Sequence, residues 1–156
     1  MIYLWRKKEM KYLYRFSLIL AISFLFSACY GTQEQVKKVQ ESLSGNWELI
    51  GLLYEKNTID GLFPSKRPTV SFDIENEIVS GFNGCNTFNG PIFSNRLSLT
   101  VFIKKVKSTK MACGSDGEKV FMQLLGQITS YRIDEQNELE LFIKTQRIMS
   151  FKRLSN

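Results

Sequence analysis

The chain has 156 residues, 21 of them basic and 15 acidic, which gives a formal net charge of +6 at pH 7. Residues 1–28 hold five of the basic residues and one acidic residue, so residues 29–156 carry a net charge of only +2. The basic balance therefore indicates no nucleic-acid partner. The chain has three cysteines and no histidine, so the usual four-ligand zinc sites and the commonest general base are excluded, and no cofactor is predicted.

The first 28 residues are predicted to be a lipoprotein signal peptide. A basic segment precedes an uncharged run at residues 16–28, and this order is typical of a secretory signal. The small pair Ser27–Ala28 stands directly before Cys29, which resembles the lipobox of bacterial lipoproteins, although Phe26 occupies the usual leucine position. The resemblance implies cleavage before Cys29 and lipid attachment at Cys29. An uncleaved membrane anchor is the alternative, but a span needs about 20 apolar residues and this run is shorter.

The other two cysteines are predicted to form a disulfide. If Cys29 carries lipid, Cys85 and Cys113 remain as a pair, and thiols of exported proteins pair in an oxidising compartment. Such a bond would stabilise the fold by about 3–4 kcal/mol in the chain-entropy model. Two buried free thiols that never meet are the alternative.

Beyond the signal, the composition changes from polar to periodic. Residues 29–43 are polar and are predicted to form a tether, and residues 44–156 are predicted to form one domain. In that domain, Val70, Phe72 and Ile74 alternate with polar residues, which predicts a half-buried strand. Further strands and hairpins are predicted at residues 47–50, 78–79, 91–93, 97–103, 130–133, 138–143 and 148–154, with a loop at residues 56–67.

Two stretches between the strands have other features. Gly81–Gly90 contains three Gly and three Asn, which predicts a sharp structural corner, and its spacing fits neither known phosphate-binding loop. Lys104–Lys110 is a basic cluster, typical of a strand edge that lysines protect from aggregation. Contact with anionic lipid or an acidic partner is the alternative for this cluster.

One helix is predicted after Cys113. Ser115 and Glu118 have the spacing of a capping box, and apolar residues recur at helical spacing after them, namely Val120, Phe121, Leu124, Leu125 and Ile128. The predicted fold class is α+β: a curved, mainly antiparallel sheet or incomplete barrel of about seven to eight short strands, with one late helix packed on it.

The domain resembles the META domain family, which includes the HslJ-type heat-shock lipoproteins. The motifs that carry the resemblance, in chain order, are Gly45-x-Trp47, Pro68-Thr69-Val70-x-Phe72, Gly81-x-x-Gly84-Cys85-Asn86-x-Phe88-x-Gly90 and Thr109-x-Met111-Ala112-Cys113. The resemblance implies a small α+β domain, often borne by envelope lipoproteins, in which Cys85 and Cys113 lie close together. It implies no catalytic residue.

These features predict a non-catalytic binding module in a bacterial cell envelope. We expect a monomer held by lipid, at the outer membrane and facing the periplasm, that binds or inhibits an envelope protein. An apolar-ligand carrier is one alternative, with a cavity lined by Phe72, Phe82, Phe88, Phe93, Phe102 and Phe121, although these residues are also expected to fill the core. A hydrolase is the other alternative, but the candidate carboxylates Glu48, Asp73, Glu138 and Glu140 are predicted to point outward from strands.

Overall fold

The computed structural model describes residues 34, 37–38, 40–54, 58–96 and 98–155. The chain divides into two units, Met1–Lys37 and Lys38–Asn156, and nearly all of the described residues belong to the second. The predicted signal peptide and Cys29 lie outside the described residues. Among the residues that are described, no helix combines the length and the apolar composition needed to cross a bilayer.

The domain is built on one antiparallel sheet that curves into a nearly closed barrel. Its strands are β1 (Gly45–Leu52), β2 (Thr69–Asp73), β3 (Ile78–Phe82), β4 (Thr87–Ser94), β5 (Leu99–Val101), β6 (Lys107–Ser108), β7 (Ser130–Ile133), β8 (Glu138–Ile143) and β9 (Gln146–Arg153). The strand order is β5-β4-β3-β2-β1-β9-β8-β7, and β6 pairs with β4 beside that path. The two ends approach each other through a bridge between Ser98 and Ser130. The predicted curved sheet or incomplete barrel is therefore confirmed.

Alternation along the strands sets which residues fill the barrel. In β2, Val70 and Phe72 are buried, while Ser71 and Asp73 are more exposed. In β8, Leu139 and Leu141 are likewise buried. At Gly81 the strands approach so closely that a Cβ atom would lie 2.1 Å from the carbonyl oxygen of Thr69. Glycine is needed here because any side chain would push β2 and β3 apart.

The late helix, α2 (Gly117–Leu125), closes one side of the barrel. An earlier single turn, α1 (Ile59–Leu62), lies within the segment predicted as loop and is capped by Thr58, whose hydroxyl accepts from Gly61 N at 3.2 Å. The predicted apolar positions of α2 are buried, and the Phe121 ring lies 6.2–6.5 Å from three other rings, namely those of Phe63, Phe88 and Phe151. Burial of this apolar face holds the helix on the sheet.

Two local predictions are wrong. The helix begins after Asp116, whose side chain makes no capping hydrogen bond, so Ser115 and Glu118 do not form a capping box. The Glu118 carboxylate instead accepts a hydrogen bond from Asn86 Nδ2 at 2.8 Å. The strand predicted to run through Ile103 ends at Val101, and Ile103–Lys105 form a turn of 3₁₀ helix.

The start of the domain is fixed to the sheet. Residues 40–43, assigned to the tether by sequence, are helical, and Leu43 is fully buried. Trp47 Nε1 donates to the Leu43 carbonyl at 3.0 Å, and Gln40 Nε2 donates to the Ser94 carbonyl at 3.0 Å. The segment that packs on the sheet therefore begins at or before Gln40 rather than at residue 44, because the buried Leu43 side chain completes the core.

Candidate functional site: the groove beside the disulfide corner

The corner predicted at Gly81–Gly90 is a tight turn at residues 83–86, between β3 and β4. Asn83 Oδ1 accepts from the backbone nitrogens of Cys85, at 3.1 Å, and Asn86, at 2.7 Å, and Gly84 has a φ of +100°. Asn83 N also donates to the Asn86 carbonyl at 2.9 Å. The Asn83 side chain thus replaces the backbone bonds that the turn lacks, and Gly84 adopts the left-handed conformation at little steric cost. The prediction of a structural corner is confirmed.

Asn86 joins this corner to the segment before α2. Its Oδ1 atom accepts from Met111 N at 2.7 Å and from Thr109 Oγ1 at 2.8 Å. Its Nδ2 atom donates to the Met111 carbonyl at 3.1 Å and to Glu118 Oε2 at 2.8 Å. Because Asn86 is buried, all four bonds replace hydrogen bonds to water that folding removes.

A covalent link lies next to this hydrogen-bonded junction. Cys85 and Cys113 form a disulfide with a Cα–Cα distance of 5.7 Å, which agrees with the pairing predicted for exported thiols and is inconsistent with two free thiols that never meet. Cys85 is buried in the corner, whereas Cys113 is exposed in the loop before α2. The disulfide and Asn86 together hold the β3–β4 corner against the loop and α2.

An open groove of about 470 Å³ lies beside the corner. Its lining residues come from β3, from β4 and from β6 with the residue after it: Ser80, Gly81, Thr87, Phe88, Asn89, Lys107, Ser108 and Thr109. The lining side chains carry four hydroxyl groups, one amide and a single ammonium group, that of Lys107. We refer to these eight residues as the β6 groove. They offer hydrogen-bond donors and acceptors to a polar ligand, with one positive charge to attract an acidic group.

The edge strand of this groove is short. β6 pairs with β4 through Phe88↔Ser108 and Asn89↔Lys107, and it has no second strand neighbour in the part of the chain that the structure describes. Thr109 N donates to the Thr87 carbonyl at 3.1 Å, and Ser108 Oγ donates to the same carbonyl at 3.1 Å. These bonds fix the position of the edge, because Thr87 lies directly after the disulfide corner.

The aromatic residues proposed for an apolar cavity divide into two groups. Phe72, Phe88 and Phe121 are buried in the core cluster, and Phe82 is partly buried. Phe93 and Phe102 have exposed fractions of 48% and 41%. Phe93 and Phe102 therefore neither fill the core nor line the inside of the barrel. Both alternatives given by the sequence analysis are wrong for these two residues.

The four candidate carboxylates have different surroundings, and Glu140 is buried although it lies on the predicted face. Glu140 leaves β8 on the outer face, as expected, but its side chain is only 4% exposed because Arg132 and Arg147 cover it. Burial raises the pKa of the Glu140 carboxyl, but hydrogen bonds from Arg147 and Arg132 outweigh that effect and hold the pKa below its ordinary value. Glu140 therefore stays ionised as the acceptor in a structural ion-pair cluster.

Two of the other carboxylates also have structural partners. Glu48 pairs with Lys152 at 2.9 Å. Asp73 binds the side chain of Asn76 at 2.8 Å and its backbone nitrogen at 3.0 Å, and these bonds lower the pKa of Asp73. Glu138 faces Lys152 across the β8–β9 register. Within the described residues, no group of three or more acidic or cysteine side chains is arranged to hold a metal ion.

Comparison with known proteins identifies the family. A model of the META domain matches residues 40–156, three quarters of the chain. The chain belongs to the META domain family. The match begins at Gln40, which agrees with the packed segment at residues 40–43. No curated protein matches this META-domain chain.

Two solved structures share the fold of this META domain. One is an NMR structure of a protein from Burkholderia xenovorans, with a TM-score of 0.56 and 19% identity, covering 76% of this chain and 88% of the other. The second is a crystal structure of a DUF4847 family protein from Bacteroides vulgatus, with a TM-score of 0.50 and 13% identity, covering 73% of this chain and 95% of the other. At these identities the likeness concerns the fold alone.

Proposed function

We propose that this META-domain chain is a non-catalytic binding module, anchored by lipid at Cys29 in a bacterial cell envelope. In this proposal the β6 groove binds an extended segment of an envelope protein. The observation that carries the proposal is the open edge of β6 beside a groove lined with hydroxyl groups and Lys107. An extended peptide can add to such an edge through backbone hydrogen bonds, while neighbouring side chains select its sequence.

The groove suits this role because its frame is rigid. The Cys85–Cys113 disulfide and the buried Asn86 hold the corner from which Thr87 enters β4. A preorganised edge loses little conformational entropy when a ligand binds, and this smaller entropic cost makes binding tighter. Lys107 on the edge strand also disfavours pairing between two copies of the chain, as expected for a monomer.

A non-catalytic role agrees with the surroundings of the candidate carboxylates. Glu140, Asp73 and Glu48 each have a partner that uses the carboxylate for a hydrogen bond or an ion pair. A carboxyl group that acts as a general acid or base near neutral pH needs a raised pKa. The pKa values of Glu140 and Asp73 are lowered instead.

The groove can be tested by photo-crosslinking in the intact chain. A benzophenone amino acid at Asn89 should form a discrete adduct in envelope fractions, and the same probe at Gln123, exposed on α2, should not. Filling the groove with the substitution Ser80→Trp should abolish the Asn89 adduct. Equal labelling from both positions, or an adduct that persists in the filled variant, would argue against the groove as the binding site.

The lipid anchor is tested separately by intact mass of the membrane-extracted protein and of Cys29→Ala. We expect a chain that begins at Cys29 and carries acyl groups, with both features lost in the variant. A mass that includes residues 16–28 would indicate an uncleaved anchor instead.

A further inference from the structure

Two exposed phenylalanines lie side by side on the outer face of the barrel. Phe93 pairs with Thr100 across β4 and β5, and Phe102 N donates to the Pro91 carbonyl at 3.1 Å, which continues the same register. Phe93 and Phe102 are therefore diagonal neighbours on one face, while Ile92 and Val101 face the core. Placing two large aromatic rings together in water is unfavourable unless something covers them.

Positive charge flanks these rings. Arg96 lies in the turn between β4 and β5, and Lys104 and Lys105 follow Phe102 after one intervening residue, Ile103. Lys105 Nζ is 5.5 Å from the centre of the Phe102 ring, and neither lysine has an acidic partner among the described residues. We refer to Phe93, Arg96, Phe102, Lys104 and Lys105 as the β4–β5 face.

The sequence around this face is depleted of acids. Residues 78–115 contain five basic residues and no acidic one. The acidic residues nearest in sequence are Glu77, in the β2–β3 turn, and Asp116, before α2. Glu77 borders one side of the face, because its carbonyl accepts from Ile92 N at 2.9 Å. The β4–β5 face therefore combines two exposed rings with three basic residues and has no acidic residue of its own.

The chain enters the domain next to this face. Gln40 Nε2 binds the carbonyl of Ser94, the residue after Phe93, and Arg153 holds the carbonyls of Ser42 and Ser44. Cys29 precedes Gln40 by eleven residues in sequence, and a chain of that length spans at most about 36–40 Å when fully extended. A lipid on Cys29 would therefore keep the β4–β5 face within reach of the membrane that holds it.

We propose that the β4–β5 face rests on an anionic phospholipid surface, with Phe93 and Phe102 at the level of the head groups and the three basic side chains on lipid phosphates. The proposal rests on the proposed function in one respect, because the lipid anchor at Cys29 is what keeps the β4–β5 face near the membrane. Aromatic rings flanked by basic residues suit an anionic interface, because the rings bury apolar area there while the cations remain near phosphate. Such contact adds a second, weaker attachment to the lipid anchor.

Hydrogen–deuterium exchange of the full chain, extracted from membranes and reconstituted, tests this proposal. Vesicles of phosphatidylcholine with phosphatidylglycerol should slow exchange in residues 91–105 by about tenfold relative to vesicles of phosphatidylcholine alone. High salt should reduce that protection, because it screens the attraction to phosphate. Intact mass of the same sample reports independently whether the lipid is present.

Matched variants separate contact with the membrane from a change in the fold. The substitutions Phe93→Ser with Phe102→Ser, or Lys104→Gln with Lys105→Gln, should abolish the protection. The control substitutions are Leu53→Ser, at an exposed leucine after β1, and Lys119→Gln with Lys144→Gln, at exposed lysines elsewhere. Protection should persist in these controls, and unchanged exchange in the interior strands β8 and β9 shows that each variant is folded.

The remaining outcomes are distinct. Equal exchange in both kinds of vesicle, with lipid present by mass, overturns the membrane-facing role and leaves the proposed function intact. Protection that grows with protein concentration in detergent indicates a second copy of the chain as the occupant, and overturns the proposal. Protection by anionic vesicles in a chain without lipid supports this face while contradicting the anchor.

Discussion

Single polar residues determine how the candidate site is held together. Asn86 is the clearest case, because one buried side chain bonds Thr109 and Met111 in the segment before α2 and Glu118 in α2 itself. An amide is required for this pattern, since it supplies both donors and acceptors. The neighbouring Asn89 is exposed in β4 and belongs to the β6 groove.

We expect Asn86→Ala to lower the free energy of unfolding by about 2–4 kcal/mol, because several buried groups lose their partner at once. Urea unfolding at equilibrium measures this change. The matched control Asn89→Ala should change the free energy of unfolding by no more than about 0.5 kcal/mol. Similar losses in both variants would contradict the structural role of Asn86.

Glu140 gives a prediction about pH. Its pKa is lower in the folded protein than in the unfolded chain, so its ionised form stabilises the fold above the ordinary glutamate pKa, and this contribution is lost as the pH falls through the folded pKa. The free energy of unfolding of Glu140→Gln should therefore lie below that of the wild type at pH 7, and the difference should shrink with acidification. Thermal unfolding between neutral and acidic pH measures it. A difference between the two proteins that stays constant across this pH range would contradict the role of Glu140 in the ion-pair cluster.

At the scale of elements, the disulfide connects the β3–β4 corner to the loop before α2. The two cysteines are 28 residues apart, so their bond restricts a sizeable loop of the unfolded chain. We expect Cys85→Ser with Cys113→Ser to lower the free energy of unfolding by about 3–4 kcal/mol. The urea midpoint of the variant should match that of the reduced wild type. A wild type indifferent to reductant would show that the bond contributes little.

At the scale of the whole molecule, Arg153 connects the two ends of the domain. Its guanidinium group lies 4.0 Å from the centre of the Trp47 ring and donates to the carbonyls of Ser42 and Ser44. We expect Arg153→Gln to lower the free energy of unfolding by about 2 kcal/mol, because a cation–π contact and two hydrogen bonds are lost together. The adjacent Lys152→Gln removes only a partly exposed ion pair with Glu48 and should cost about 1 kcal/mol or less.

Much of this fold could be predicted because its patterns are local. β7 and β8 have the predicted bounds, since alternation places Leu139 and Leu141 on one face of β8. The predicted capping box does not form, and the Glu118 carboxylate accepts a hydrogen bond from Asn86 instead. Asn86 lies 32 residues away in sequence, so a local pattern cannot predict this contact. Glu140 was assigned to the correct face, but its burial depends on two arginines from β7 and β9.

The candidate site was less predictable for the same reason. The β6 groove combines residues from three segments whose proximity follows only from the register of the folded sheet. The exposure of Phe93 could be predicted in part from the sequence. Adjacent strand residues face opposite sides of a sheet, so if Ile92 faces the core, Phe93 faces outward. A large apolar ring by itself favours burial, and on that ground Phe93 is expected in the core or a cavity.

The pairing of β1 with β9 has a consequence for the order in which the protein is made. Residues 69–101 can form the β2–β5 part of the sheet as soon as they emerge, but one edge of β1 pairs with β9, near the other end of the chain. The barrel therefore stays incomplete until synthesis has delivered almost every residue. Arg153 covers Trp47 only at that last step, so the fluorescence of Trp47 reports the completion of folding.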